Sequence, residues 1–200
     1  MKRVAIFLSI FTSFLIALNN DKPNFKNLNF RFIGPDGNRA IAISGVSSDH
    51  NTYYVGAASG GLFKTTNKGI SWEPIFDDQD VSSVSAIAVS QKNPNIVWAG
   101  TGETFLIRPA HAIGDGIYKS EDGGKTWKKI LFIDQNTGGI DIALDRKNPN
   151  FLIASMWEIY INTWASIVVV SLEAYLFQKM QENHGKDKMK MDCLEAKESL

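Results

Sequence analysis

Hydrophobic and polar positions follow one recurring pattern along the middle of the chain. Residues 45–56, 88–99 and 143–154 each begin with a small residue, pass through a polar turn and end in a short apolar run. In the second and third segments the turn contains Asn-Pro-Asn, where proline fixes φ and asparagine bonds its own backbone. Short runs rich in Ile, Val, Trp and Phe beside such turns are typical of β-strands. The pattern predicts repeated antiparallel strand pairs.

A second recurrence lies in two turns that end in tryptophan. Residues 120–127, Ser-Glu-Asp-Gly-Gly-Lys-Thr-Trp, match the Asp-box pattern Ser-x-Asp-x-Gly-x-Thr-Trp, and residues 65–72, Thr-Thr-Asn-Lys-Gly-Ile-Ser-Trp, are a weaker copy 55 positions earlier. Self-similarity at such a period in strand-rich units predicts a β-propeller. The defining residues are Ser120, Asp122, Gly124, Thr126 and Trp127, and in the weaker copy Thr65, Asn67, Gly69, Ser71 and Trp72.

We interpret these boxes as structural. The carboxylate of Asp122 is placed to accept backbone N–H groups of the following turn, and Gly123 and Gly124 permit the positive φ of a tight hairpin. The ring of Trp127 is expected to cover the hairpin and donate its N–H to a nearby carbonyl. None of these interactions makes or breaks a covalent bond.

The spacing of the strand segments sets the predicted blades. The first and second segments lie 43 positions apart and the second and third 55 apart, a difference of twelve that we assign to an inserted loop at 101–115. We therefore predict an all-β fold, a partial propeller of two to three four-stranded blades within residues 30–158. The first blade covers about 39–76, the second about 83–130, and a third begins near Gly139.

Composition and charge exclude several classes of partner and site. The chain has 200 residues and a formal net charge of +0, without a basic stripe, so we expect no nucleic-acid partner. Cys193 is the only cysteine, which excludes an intrachain disulfide and a thiol-rich metal site. No cofactor and no bound metal are expected.

The first twenty residues are typical of a signal peptide. Lys2 and Arg3 precede an almost wholly apolar stretch at 4–18, which is too short for a usual membrane-spanning helix. Export to the cell envelope or the medium is predicted, with membrane contact only through an uncleaved signal segment. Residues 21–29 contain Pro23 and are predicted to be a linker.

The tail at 159–200 departs from the repeat. Another Asp-box is expected near position 182 and is not present, and residues 165–180 have the composition of a helix. In a shifted reading frame, the codons allowed for residues 177–185 permit Ser-Lys-Asp-Ala-Gly-Lys-Ser-Trp, which would be another box. We interpret the tail as the product of a frameshift between positions 158 and 165, and as non-native in structure.

Several linked motifs resemble a known family. They are Arg-Phe-Ile-Gly-Pro at 31–35, the run at 53–66 that includes Ala-Ala-Ser-Gly-Gly-Leu-Phe-Lys-Thr-Thr, Ala-Gly-Thr-Gly-Glu at 99–103, and Gly-Asp-Gly-Ile-Tyr-Lys-Ser at 114–120. They resemble the sortilin-type, or VPS10-like, Asp-box propellers, which are described as BNR-repeat, glycosyl-hydrolase-like proteins. The resemblance covers about 29–158. It implies a large propeller with more blades, of which this chain would be an amino-terminal fragment.

The resemblance also bears on catalysis. Related xyloglucan-cleaving propellers carry a catalytic aspartate in Tyr-Ala-Arg-Thr-Asp-x-Gly-Gly, and over residues 54–61 this aspartate falls on Ala58. Alanine cannot transfer a proton, so a paired-carboxylate mechanism would lack one partner. The sialidase Arg-Ile-Pro motif is also not matched at 31–35. We expect a non-catalytic module that binds a peptide, protein or glycan; the alternatives are a fragment of a polysaccharide-cleaving glycoside hydrolase and a non-functional gene remnant.

The inserted loop is the candidate ligand site because long loops often carry function. Its ionisable residues are Glu103, Arg108, His111 and Asp115. The alternative is a solvated loop whose charges satisfy one another.

Two further groups of residues have an ordinary structural interpretation. Residues 77–80, Asp-Asp-Gln-Asp, offer oxygen ligands to calcium but lack the glycine and distal glutamate of a standard loop, so a plain acidic turn is favoured. A set of aromatic residues could form a carbohydrate platform, although their spacing favours packing: Trp72, Trp98, Trp127, Tyr53, Tyr54 and Tyr118.

Overall fold

The computed structural model describes residues 34–35, 39–104, 112–148 and 151–158, together with the backbone of 171–181 and 187–194. The predicted signal segment and linker, and the loop residues Arg108 and His111, lie outside this part of the chain.

The described residues contain twelve strands, which form three four-stranded antiparallel sheets. The first blade contains β1 (Ala40–Val46), β2 (Asp49–Ala57), β3 (Leu62–Thr65) and β4 (Glu73–Pro74). The second contains β5 (Val84–Val89), β6 (Val97–Thr101), β7 (Ile117–Ser120) and β8 (Lys128–Leu131), and the third contains β9 (Thr137–Leu144), β10 (Phe151–Glu158), β11 (Ser171–Gln181) and β12 (Asp187–Leu194). In every sheet each strand pairs with the next one in sequence. The predicted all-β partial propeller is confirmed.

The strand register repeats from blade to blade and corrects one spacing. Gly56 pairs with Ala42 in the first blade as Gly100 pairs with Ala86 in the second, so equivalent residues lie 44 positions apart, not 43. The equivalent of Tyr54 is therefore Trp98. The correction matters because a shift of one residue moves every side chain to the opposite face of a strand. Between the second and third blades the predicted interval of 55 agrees with the pairing.

Each blade has two faces that we call forward and rear. The forward face packs against the following blade: Tyr54 and Leu62 of the first blade lie in one apolar cluster with Val97 and Tyr118 of the second. A second cluster joins the forward face of the second blade to the rear face of the third; its members include Trp98, Ile117, Leu152, Ala154 and Met156. Burial of these side chains between sheets supplies the main stabilisation, because a blade cannot bury both faces alone.

Neighbouring blades are in contact through their first strands. The β1 strand contacts β5, and β5 contacts β9. Each first strand carries an irregularity at the same place, between Ala40 and Ala42 in β1, between Val84 and Ala86 in β5, and opposite the step from Ser155 to Met156 in the third blade. The repeated β-bulge shows that the three blades share backbone geometry as well as strand order.

The tail differs from the helix predicted for it. The whole of β10 pairs with the first eight residues of β11, and β12 pairs with β11. The physical reason is that β10 offers an open edge of backbone groups, and pairing with this edge overrides the local helix preference of the sequence. The third blade thus has the strand order of the other two.

Among the described residues, no helix has the length and apolar character required to cross a membrane.

Candidate functional site

The turn at 120–127, which we call the second box turn, is closed by its own side chains. Asp122 Oδ1 accepts the backbone N–H groups of Lys125 and Thr126, both at 2.9 Å, while Asp122 Oδ2 accepts the Thr126 hydroxyl at 2.5 Å. Ser120 Oγ donates to Asp122 Oδ1 at 2.8 Å and accepts the N–H of Gly124 at 2.8 Å. The hydroxyl and amide of Thr126, followed by the Ser120 hydroxyl, hold the pKa of Asp122 well below its usual range.

The turn at 65–72, the first box turn, is closed in a similar way by an amide in place of the carboxylate, with one bond reversed: Asn67 Nδ2 donates to Ser71 Oγ at 2.8 Å. Asn67 Oδ1 accepts the Thr65 hydroxyl and the N–H of Ser71, both at 2.9 Å, and Thr65 Oγ1 accepts the N–H of Gly69 at 3.0 Å. Lys68 has φ of 61° and Gly69 has φ of 81°. The side chains of both turns satisfy backbone donors, which is a bracing function.

The second box turn also binds the first blade. The indole N–H of Trp127 donates to the carbonyl of Ile75 at 2.7 Å, and the Trp127 ring meets Phe76 edge-on. The carbonyl of Gly123 accepts Lys64 Nζ at 2.8 Å and the Tyr54 hydroxyl at 3.3 Å. These contacts cross from one blade to the next, so the turn contributes to blade packing.

A small depression lies between the ends of the second and third blades. It is open to solvent, and its enclosed part measures about 10 Å³, about the space of one water molecule. Three of its lining residues are glycines, and the full set is Gly102, Glu103, Ala112, Ile113, Gly114, Asn136, Gly138 and Trp157. We call it the interblade depression. Trp157 is half-buried and Asn136 is exposed, so an aromatic ring and an amide are available there.

Glu103 is the carboxylate of this depression. Its side chain is only 4% exposed and forms an ion pair with Arg39, which directly precedes β1 of the first blade. It also fastens the base of the inserted loop, because the Glu103 N–H donates to the Ala112 carbonyl at 3.0 Å and the Ala112 N–H donates to Glu103 Oε2 at 3.4 Å. Glu103 is thus both a lining residue and a positioning residue.

Asp115 is held inside the second blade. Its carboxylate accepts the Tyr118 hydroxyl at 2.9 and 3.0 Å and the Thr101 hydroxyl at 3.2 Å, and it pairs with Lys129. Burial raises the pKa of Tyr118 to about 12, and the hydrogen bond to Asp115 raises the pKa of Lys129. The structure therefore separates two predicted loop residues: Glu103 lines the depression, and Asp115 braces the sheet.

Three of the six aromatic residues considered from the sequence lie in the core, and Tyr53, Trp72 and Trp127 are half-buried. Trp98, Tyr54 and Tyr118 are at most 2% exposed, and their rings are not available as a carbohydrate platform. Trp157 and Asn136 were not among the candidate residues chosen from the sequence. Trp157 could have been found from its position in the repeat. The strand pairing makes it equivalent to Gly102 in the second blade and to Ala58 in the first.

Ala58 itself is buried, at 1% exposed, and its N–H donates to the carbonyl of Arg39 at 3.0 Å. This position, onto which the resemblance places a catalytic aspartate, holds a methyl group. Within the described residues, no group of three or more His, Cys, Asp or Glu side chains is arranged to hold a metal ion.

Comparisons with known proteins identify the fold. The chain is similar to the crystal structure of the Niastella koreensis GH74 enzyme, with a TM-score of 0.52 and 18% identity over 74% of this chain and 20% of the enzyme. A second crystal structure with some similarity is that of the GH74 xyloglucanase from Xanthomonas campestris, with a TM-score of 0.38 and 19% identity over 54% of this chain and 19% of that one. The chain spans about a fifth of the enzyme's length. No family model matches, and no curated protein matches.

Proposed function

We propose that this chain forms blades of an exported glycan-binding propeller and that the mouth of the interblade depression binds one sugar unit of a longer chain. The observation that carries this proposal is the combination of Trp157, Asn136 and the Glu103 carboxylate around one depression. Carbohydrate is both apolar on its ring faces and rich in hydroxyl groups, so it fits an aromatic ring beside a few fixed polar groups.

The size of the depression limits the ligand. Pockets that enclose a small molecule measure roughly 300–1,000 Å³, whereas the enclosed part of this depression measures about 10 Å³, about the space of one water molecule. A single ring of an oligosaccharide would therefore lie across the open mouth of the depression, while the rest of the chain continued over the blade ends. The resemblance to sortilin-type propellers implies a peptide or protein ligand instead, which is the competing proposal.

Catalysis is not part of the proposal for this chain. Glycoside hydrolysis uses two carboxyl groups on opposite sides of the scissile bond. Of the residues that line the depression, Glu103 is the one carboxylate, and it is committed to Arg39. A glycoside hydrolase remains the second candidate, supported by the fold of the GH74 enzyme; its acid and base would come from blades outside this chain.

Calorimetric titration of the full chain with xyloglucan oligosaccharides tests the proposal. We expect saturable binding, and Trp157→Ala is expected to weaken it about tenfold or more, which corresponds to about 1.4 kcal/mol. Ile153→Ala is the matched control, because Ile153 is exposed on the same strand but outside the depression. Equal affinity of the Trp157→Ala variant and the unmodified chain would refute the glycan site.

Xyloglucan oligosaccharides are the first probe because the segment at 54–61 resembles xyloglucan-cleaving propellers. A hydrolysis assay on the same samples separates the two candidates: release of shorter sugars would favour the enzyme. Export is tested by sequencing the amino terminus of the protein recovered from the culture medium or periplasm.

A further inference from the structure

The interface between the first two blades contains an ion pair that crosses it. Arg39, which directly precedes β1, pairs with Glu103, which lies two residues after the end of β6. The side chain of Glu103 is 4% exposed, and a carboxylate buried to this degree is costly unless a cation accompanies it. Arg39 supplies that cation from the neighbouring blade.

At the interface between the second and third blades, Ser83 takes the place of Arg39. Ala58 donates its backbone N–H to the carbonyl of Arg39 at 3.0 Å, and Gly102 donates its N–H to the carbonyl of Ser83 at 3.0 Å. Each acceptor directly precedes the first strand of its blade. The side chain of Ser83 has neither the positive charge nor the length of an arginine, so it does not supply a cation to this interface.

Glu158 takes the place of Glu103 in the third blade. It follows Met156 by two positions, as Glu103 follows Thr101, and these two strand residues pair with equivalent residues of the first strands. Met156 lies in the apolar cluster that joins the second and third blades. Because alternate residues of a strand share a face, Glu158 lies on the face directed toward the second blade.

The two polar side chains of the second interface are not satisfied by the rest of the described chain. Among the described residues, the fully buried hydroxyl of Ser83 has no hydrogen-bond partner. The half-buried side chain of Glu158 has neither an ion pair nor a hydrogen bond with them. Buried polar groups are satisfied as a rule, so this pair indicates a place for a further polar group. Since Glu158 is negatively charged, the group that fits best is a cation.

The interblade depression lies at the same interface and adds an aromatic ring. Trp157 directly precedes Glu158 and lines the depression, as does Gly102, whose N–H is bonded to Ser83. Tryptophan is the side chain whose ring attracts a cation most strongly, and a carboxylate forms charge-assisted hydrogen bonds with an ammonium group. The amide of Asn136 has both a donor and an acceptor, which suits sugar hydroxyls, whereas a guanidinium group would use the acceptor alone.

We propose that the sugar unit bound at the mouth of the interblade depression is an amino sugar, whose ammonium group pairs with Glu158 where the first interface has the guanidinium of Arg39. This inference rests on the proposed glycan-binding function and specifies the class of glycan. Glucosamine, the repeating unit of chitosan, has this chemistry, because it carries an ammonium group on an otherwise neutral sugar ring.

Calorimetric titration of the full chain with two oligosaccharides of equal length tests this inference. Chitosan oligosaccharides carry an ammonium group where cello-oligosaccharides carry a hydroxyl, and the linkage between the units is the same. At a mildly acidic pH, where the sugar amine is protonated and a glutamate is still ionised, we expect the chitosan oligosaccharide to bind at least about tenfold more tightly.

Two variants assign this preference to the second interface. Glu158→Gln is expected to abolish the preference and to keep the affinity for the cello-oligosaccharide. Ser83→Arg is expected to abolish the preference as well, because it gives Glu158 the partner that Glu103 has. Glu73→Gln is the matched control, because it removes one negative charge from an exposed side chain beside the first box turn, and the preference is expected to be unchanged.

Equal affinity of the unmodified chain for the two oligosaccharides would overturn the inference and leave the glycan site standing. A preference that persists in Glu158→Gln, or that falls equally in Glu73→Gln, would also overturn it, because the attraction would then come from other charges. Near-ultraviolet circular dichroism checks folding, and the conservative Glu158→Gln decides the matter if Ser83→Arg does not fold.

Failure of the proposed function has a different outcome. Binding of neither these oligosaccharides nor the xyloglucan oligosaccharides would refute the glycan site itself. Titration with an arginine-containing peptide covers the competing class of ligand. Binding of this peptide that is lost in Glu158→Gln, without binding of any sugar, would assign Glu158 to a peptide and overturn the amino sugar.

Discussion

The indole N–H of Trp127 donates to the carbonyl of Ile75 at 2.7 Å, so the tryptophan that ends the turn of the second blade is bonded to the first blade. The same ring packs edge-on against Phe76 at a centroid distance of 5.1 Å. The turn therefore joins neighbouring sheets, in addition to closing its own hairpin. This relationship leads to the first prediction.

Replacing Trp127 by phenylalanine is expected to lower the free energy of unfolding by about 1 kcal/mol, the usual net value of one hydrogen bond. Phenylalanine keeps much of the aromatic contact with Phe76 but has no N–H for Ile75. Thermal denaturation followed by circular dichroism measures the change. Ile70→Val is the control, because Ile70 is 80% exposed and is expected to be neutral. An unchanged midpoint in Trp127→Phe would contradict a bracing role.

Acid stability is expected to depend on Asp122. Its pKa is held low in the folded chain by the Thr126 hydroxyl and amide and by Ser120. The stabilisation that these hydrogen bonds give the folded chain is therefore fully present above the pKa of an unfolded aspartate, about 3.9. It is lost as the pH falls from there through the folded pKa. Asp122→Asn is expected to lower the melting temperature at pH 7 and to flatten the acid side of the curve of melting temperature against pH.

The first box turn supplies the matched comparison, because Asn67 already stands at the position of Asp122. The variant Asn67→Asp is expected to steepen the acid dependence that Asp122→Asn flattens. Melting temperatures measured between neutral pH and pH about 2 for the three proteins give the result. Parallel curves of melting temperature against pH for all three proteins would show that the box carboxylate does not contribute to acid stability.

Gly100 is expected to tolerate no side chain. A Cβ atom there would lie 2.6 Å from the carbonyl oxygen of Gly139, which belongs to the backbone of the next blade and cannot move alone. Gly100→Ala is expected to destabilise the chain by about 1–3 kcal/mol, as overpacking does. Gly45→Ala is the control: its nearest contacts, at 3.2 Å, are atoms of the Tyr53 ring, which can shift. Urea denaturation of both variants tests the difference.

The frameshift interpretation of the tail predicts a specific DNA sequence. The nucleotides that encode residues 177–185 are expected to spell Ser-Lys-Asp-Ala-Gly-Lys-Ser-Trp, or the form with proline as the second-last residue, in the other frame, followed by further boxes. Sequencing this region and the DNA beyond it gives the answer. Codons that do not spell a box would exclude the frameshift, and β11 and β12 would then be the native end of the third blade.

The architecture followed from the sequence because its markers are local. Asn-Pro-Asn turns and tryptophan-ended boxes determine where strands start and stop, and their spacing gave the blade count. The one-residue error between the first two blades arose because Gly45 was matched to Ala88 as a small residue, whereas strand pairing matches it to Val89. Because small residues occur at adjacent positions in these strands, matching one small residue to another does not determine the register. It therefore does not determine which face of a strand points toward the neighbouring blade.

The site was harder to predict because its parts are distant in sequence. The ion pair of Arg39 and Glu103 spans 64 positions, and no local pattern connects the two residues. Trp157 and Asn136 reach the depression only through the packing of the third blade on the second. The tail was mispredicted for a related reason: the strand conformation of β11 depends on the free edge of β10, which its own sequence does not reveal.

The peptide carbonyl of Gly123 accepts two donors, Lys64 and Tyr54, that both belong to the neighbouring blade. Together with the Trp127 bond, this means that the first two blades cannot separate without breaking three hydrogen bonds at once. The amide protons of these two blades are thus expected to exchange with solvent through one shared opening event. The two blades then behave as a single cooperative unit of unfolding.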